Sequence, residues 1–219
     1  MFQFLCNVHT LLLKDWRSEF RSLQILPPTV VLALAGIVIF HFSNINFTQT
    51  SSSWAAILWI ISLLALVVIL DRSLVGDTKN AVLEALFVGP VTPSQFLWAK
   101  IIFTGTLVLG LQGLVIFLLW QMMGLTISAP WRTIVLTLIL ADFAIISMGL
   151  LCSLIAQFSH HRGAFLAGLL WPIAVPVVLL AMMAIDDPGK SENVWLILAG
   201  FDIVLLGLGP GLLKVIAGK

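Results

Sequence analysis

Two carboxylates stand where a charge is expensive. Asp142 and Asp202 lie inside long apolar runs, and an ionisable residue within a membrane span is a functional candidate by default. They could serve as the acid and base of an intramembrane enzyme, although no paired catalytic motif accompanies them. The plainer reading places each near a span end, protonated or hydrogen-bonded to a neighbouring helix. Insertion survives either way, because some fifteen apolar residues at about −0.5 kcal/mol each outweigh a penalty of about 3 kcal/mol. The histidines offer ligand chemistry. His160 and His161 are adjacent, so on a helix they point about 100° apart and are poorly placed to share one ion. His41, near the end of the first apolar run, is the better ligand candidate. Cys6 and Cys152 are far apart in apolar contexts, which leaves a disulfide framework or a Cys-rich metal site without support. Pro172 and Pro176 fall inside another run and remove helical hydrogen bonds there, marking either a hinge or a packing kink. Gly207, Gly209 and Gly211 around Pro210 either permit close helix contact or end the last run.

The elements that must position these groups are membrane helices. The chain has 219 residues, 60% hydrophobic and 10% charged, with a mean hydropathy of +1.12. A soluble domain would be about a quarter charged. A net charge of +1 gives no basic surface for nucleic acid. A span needs about 20 mostly apolar residues, and six runs qualify, near 25–42, 54–70, 101–123, 133–156, 164–184 and 194–213. The expected fold is therefore all-α: one polytopic transmembrane domain over residues 1–219, with six spans. Pro27 and Pro28 suit the start of the first, where helical N–H groups are unpaired anyway. That run begins only around Ile25, and Phe40 to Asn44 is bulky where a cleavage site wants small residues, so it reads as a retained span. Trp54, Trp98, Trp120, Trp131 and Trp195 fall near run ends, as an aromatic belt requires.

Charge sets orientation. Nine Lys and Arg residues, including Lys14, Arg17, Arg21, Arg72, Lys79, Lys100 and Arg162, fall on one side, against Arg132 and Lys190 on the other. The positive-inside rule then places both termini in the cytoplasm. Residues 1–23 form a separate element. Phe4, Val8, Leu12, Trp16 and Phe20 recur every four residues, with Asn7, Lys14, Arg17 and Arg21 mostly elsewhere, which predicts an amphipathic helix in the inner membrane interface.

Between the second and third runs lies a polar island, Asp71 to Lys100, with six charged residues. It must lie outside the lipid. Gly76-Asp77 predicts a turn and N-cap. A short helix follows with Val82, Leu83, Leu86 and Phe87 on one face and Lys79, Asn80 and Glu84 opposite, stopped by Gly89-Pro90. Thr92-Pro93-Ser94-Gln95 then matches a capping box with proline at the first helical position, so the next helix starts there and runs on through Lys100. A connector needs only a few residues, and this one has roughly thirty with two signalled helices. Its apolar face has the spacing of a helix that docks into a groove on a soluble partner.

The island and its flanks resemble the haem exporter protein B (CcmB) family, permease subunits of the cytochrome c maturation ABC complex. The likeness rests on Asp71-Arg72 after the second span, Leu83-Glu84, Pro90 with Pro93, and Ala99-Lys100 entering the third. Arg162-Gly163 followed by Pro172 and Pro176 is a second match. Asn80-Ala81-Val82 and Asp142-Phe143 depart from the family pattern. The resemblance implies an ABC-2-type permease, not an enzyme, without covalently bound cofactors. Haem is the implied substrate, for which His41 becomes a candidate axial ligand. ATP would act through a separate ATP-binding subunit, since nothing here resembles a P-loop. Further implied partners are a haem-handling membrane subunit and a periplasmic haem chaperone, with two copies of this chain per complex in the inner membrane. ATPase coupling would then fall to Asp71, Arg72, Asp77, Lys79, Leu83, Glu84, Leu86, Phe87, Pro90 and Lys100. The alternatives are an ABC-2-type exporter of another substrate, such as a lipid or drug, and a structural anchor for partner proteins.

Overall fold

The apolar runs fold as helices. A computed structural model describes residues 2–43, 51–79, 92–123, 129–156 and 161–217. Its regular elements among these residues are α1 (Phe2–Ser22), α2 (Leu26–Phe42), α3 (Ser51–Lys79), α4 (Pro93–Met123), α5 (Trp131–Ala156), α6 (Arg162–Asp186) and α7 (Ser191–Ala217). The six predicted runs correspond to α2 through α7. Among the described residues four helices, α3 to α6, are long and apolar enough to cross a membrane, and the pair α1–α2, bent by 71°, is a fifth candidate. Alone, α2 has 17 residues, about 25 Å at 1.5 Å per residue, against a hydrocarbon core of about 30 Å.

The centre of the bundle is α5, which packs against α3, α4, α6 and α7. A helix that is apolar all round belongs in such a place. Lipid supplies no hydrophobic push between helices, so their approach depends on small residues. Ala141, Ala144, Ser147, Gly149, Ser153 and Ala156 are all buried along α5. Two side-chain bonds fix register: Ser153 Oγ donates to the Leu70 carbonyl at 3.3 Å, and Trp195 Nε1 donates to Thr137 Oγ1 at 2.9 Å. A tight turn joins α6 to α7, closed by Lys190 on Asp187 at 3.0 Å. That hydrogen bond and charge hold the exposed Asp187 carboxyl below its ordinary range.

Three local expectations need correction. No turn forms at Gly76-Asp77; α3 continues through both residues to Lys79. A single helical glycine costs only about 1 kcal/mol, less than abandoning a helix that is already propagating. Among the tryptophans, Trp120 and Trp131 are exposed as belt residues should be, but Trp54 is buried in the core. The stripe on α1 is also rotated. Val8 is buried and Phe20 exposed, and the buried side chains are Val8, Leu11, Asp15 and Glu19. A strict four-residue step drifts about 40° each time, so Phe4 to Phe20 walks about 160° around the helix.

Candidate functional site

The base of the polar island is built by three helices meeting at Lys100. Its lower wall starts where the sequence predicts. Thr92 N donates to Gln95 Oε1 at 2.9 Å, and Gln95 N donates to Thr92 Oγ1 at 3.4 Å. These are the two reciprocal bonds of a capping box, and α4 begins at Pro93. Asn7 Nδ2 on α1 donates to the same Gln95 Oε1 at 3.4 Å. Thr92→Ala should therefore lower stability by about 1 kcal/mol, measured as the thermal midpoint of the purified chain in detergent.

Two turns further, Lys100 is almost wholly buried, at 3% exposure. Its Nζ lies 2.8 Å from Asp15 Oδ2 on α1 and donates to the Ser73 carbonyl on α3 at 3.1 Å. The rings of Phe96 and Phe103 lie 5.7 and 6.0 Å from the ammonium, within cation–π range. Asp15 is itself buried, and its Oδ1 also lies 3.4 Å from Lys14 Nζ. A charge held away from water needs a partner and further hydrogen bonds to be tolerated. This one has an ion pair, a carbonyl and two aromatic rings. It fastens α1, α3 and α4 together at the place where the island leaves and re-enters the bundle.

A second carboxylate reinforces the junction. Glu19 Oε1 accepts from Ile25 N at 2.8 Å and Leu26 N at 2.9 Å, so a buried acid on α1 caps α2 across the elbow. The elbow turns through Leu23, whose φ of 47° lies in the left-handed region. Arg72 Nη1 on α3 donates to the Gln24 carbonyl at 2.8 Å. Of the sequence-predicted coupling residues, then, Arg72 and Lys100 both grip the α1–α2 unit. Asp71 is half-buried on α3, next to Arg72. Asp77 and Lys79 lie on the last turns of α3, with side chains outside the described residues, while Leu83, Glu84, Leu86, Phe87 and Pro90 lie wholly outside them. Asp15 and Glu19 were not singled out by sequence reasoning. Their i, i+4 spacing in register with Val8 and Leu11 was the available signal.

Asp142 and Asp202 are buried in the bundle interior. Asp142 Oδ1 accepts from Gln112 Nε2 at 2.9 Å, so α5 is tied to α4 by a carboxylate–carboxamide bond, while Asp142 Oδ2, Gln112 Oε1 and Asp202 Oδ1 have no hydrogen-bond partner among the described residues. Asp142 is five residues beyond Thr137 and Asp202 seven beyond Trp195, on the two helices that the Trp195–Thr137 bond ties together. Pro172 and Pro176 both lie inside α6 without ending it, on its exposed face. His41 is exposed at the end of α2, with its ring 5.4 Å from that of Phe42. His161 is exposed at the α6 N-cap, and His160 lies outside the described residues. Among the described residues no group of three His, Cys, Asp or Glu side chains is placed to hold a metal.

Lys100, the last residue of the polar island, is thus tied to Ser73 near the island's start and to Asp15 on α1. Compared with known proteins, residues 6–213 match the model of the family described as CcmB protein. No curated protein matches the chain.

Proposed function

The chain belongs to the CcmB protein family, the haem exporter permease component of cytochrome c maturation and not itself an enzyme, and from that premise we propose how it is driven. Residues 71–100 form a cytoplasmic lever on which a separate ATP-binding subunit docks. ATP hydrolysis in that partner is coupled through the lever to haem export, or to release of the haem chaperone. The body carries six spans in the inner membrane, with both termini cytoplasmic. Two copies assemble with the ATPase and a haem-handling membrane subunit. Within the body, Pro172 and Pro176 act as a hinge, Asp142 and Asp202 as the intramembrane polar groups, and His41 as a haem ligand.

The observation that carries this reading is the Lys100 junction. A docking segment transmits force only if its ends are held, and Lys100 joins Asp15 and the Ser73 carbonyl with a 2.8 Å ion pair and a 3.1 Å hydrogen bond. Asp71 and Arg72 stand one turn or less from Ser73, so the charged pair of the family resemblance sits on the clamped end. Leu86→Asp and Phe87→Asp should each abolish co-purification of the ATP-binding subunit, while the chain still inserts and folds. Pull-down of the tagged chain from membranes checks this, and partner recovery at the wild-type level in both variants would reject the lever.

A further inference from the structure

Helix α1 presents three sectors: one is buried against the bundle, and a second touches it only through Trp16, whose ring meets that of Phe103 on α4 edge-on. At about 100° per residue, Leu11, Asp15, Val8 and Glu19 fall together and are buried against the rest of the molecule. The next sector holds Leu5 and Phe20, both more than half exposed. The third holds Thr10, Lys14, Arg17, Ser18 and Arg21, also exposed. Leu13 stands at the seam between the apolar and basic sectors. An open groove of about 550 Å³ lies over the basic sector, lined by its five residues and bordered by Leu13. Because α1 makes a 71° angle with the apolar α2, it lies nearly across the direction of a membrane helix. Its exposed apolar sector then meets acyl chains, and its basic sector the headgroup layer.

We propose that this groove binds the headgroup of an anionic phospholipid, with Arg17 and Arg21 on its phosphate and the acyl chains along Leu13 and Phe20. Arg17 and Arg21 are one turn apart on the same face, about 6 Å between their Cβ atoms, a spacing that lets two guanidinium groups share one phosphate. Guanidinium groups bind phosphate bidentately, and no salt bridge to a carboxylate holds either arginine among the described residues. The Ser18 hydroxyl, also lining the groove, adds a neutral donor beside them. The occupant is a lipid and not an acidic protein because Leu13 lines the same groove and the adjoining sector is apolar and exposed. A soluble acidic surface would leave that apolar sector in water. A phospholipid covers both sectors with one molecule.

The experiment is a titration of the purified full-length chain in mild detergent with phosphatidylglycerol or phosphatidylcholine, with bound lipid counted by native mass spectrometry. The wild-type chain should prefer phosphatidylglycerol. Arg17→Gln with Arg21→Gln should weaken its binding about thirtyfold, about fivefold per arginine, and leave phosphatidylcholine binding unchanged. Arg17→Lys with Arg21→Lys should bind phosphatidylglycerol more tightly than the glutamine variant but less tightly than wild type, because an ammonium keeps the charge and loses the bidentate contact. An affinity for phosphatidylglycerol within about twofold of wild type in the glutamine variant would overturn the proposal. So would displacement of the lipid by inorganic phosphate alone, or loss of a co-purifying soluble subunit with lipid binding intact.

Discussion

Removing the Lys100 ammonium, as in Lys100→Met, is expected to destabilise the chain by about 3–5 kcal/mol, the cost of leaving one member of a buried pair without the other. The carboxylate left behind is Asp15, itself 7% exposed and facing the Ser73 carbonyl that Lys100 had bridged. Two oxygen-rich groups then face each other with no donor between them. Lys14 can reach Asp15 only through its other oxygen, now at 3.4 Å. Asp15→Leu alone should cost a similar amount, because it takes from the buried lysine the carboxylate 2.8 Å away. The double variant Asp15→Leu with Lys100→Met should regain most of the loss, since buried ion pairs replaced by apolar residues of similar volume are often neutral or stabilising. Thermal unfolding in detergent reports stability, and ATPase co-purification reports coupling. If the pair is a mechanical fastener and not only a packing element, the double variant will be stable yet weakly coupled. Additive losses in the double-mutant cycle would show that the two residues do not act as a unit.

How much of this was legible in the chain depends on range. Helix class and the positions of the apolar runs follow from composition and length, so α2 through α7 fall where hydropathy puts them. The capping box at Thr92 to Gln95 was readable because its four residues are contiguous and its geometry local. The junction at Lys100 was not, because its partners are Asp15 and Ser73, distant in sequence and brought together only by packing. Asp15 and Glu19 look like ordinary polar residues on an amphipathic helix until α4 covers them. Their burial reverses the meaning of the stripe, since the face against the bundle carries two acids and the face with Leu5 and Phe20 is bare. Gly76-Asp77 misled in the opposite direction: a local turn signal yielded to a helix already under way. Asp142 was visible as a costly residue, but its partner Gln112 sits thirty positions earlier on a face that hydropathy cannot orient.

The second large effect is steric. A Cβ added at Gly149 would collide with Leu70 Cδ1 and come within 3.3 Å of Leu170 Cδ1, so this glycine lets α5 approach α3 and α6 at once. Leu70 is fully buried, and its carbonyl is held by Ser153 one turn along α5. Admitting a methyl group requires the buried Leu70 side chain to shift. Gly149→Ala should therefore cost about 1–3 kcal/mol through overpacking, and Gly149→Leu should prevent assembly of the three helices. Shortening the obstacle is the test: Gly149→Ala combined with Leu70→Ala should be more stable than the sum of the single losses predicts, a favourable coupling of about 1 kcal/mol in the cycle. Gly110 and Gly113 on α4 supply the contrast. Nothing lies within 4 Å of a Cβ at either, so alanine there should be neutral or raise stability by up to about 1 kcal/mol through helix propensity. Thermal midpoints in detergent for the three alanine variants separate a glycine needed for close approach from glycines that merely face lipid. A Gly149→Ala midpoint equal to those of the α4 variants would mean that α3 and α5 are further apart than the Ser153–Leu70 bond requires.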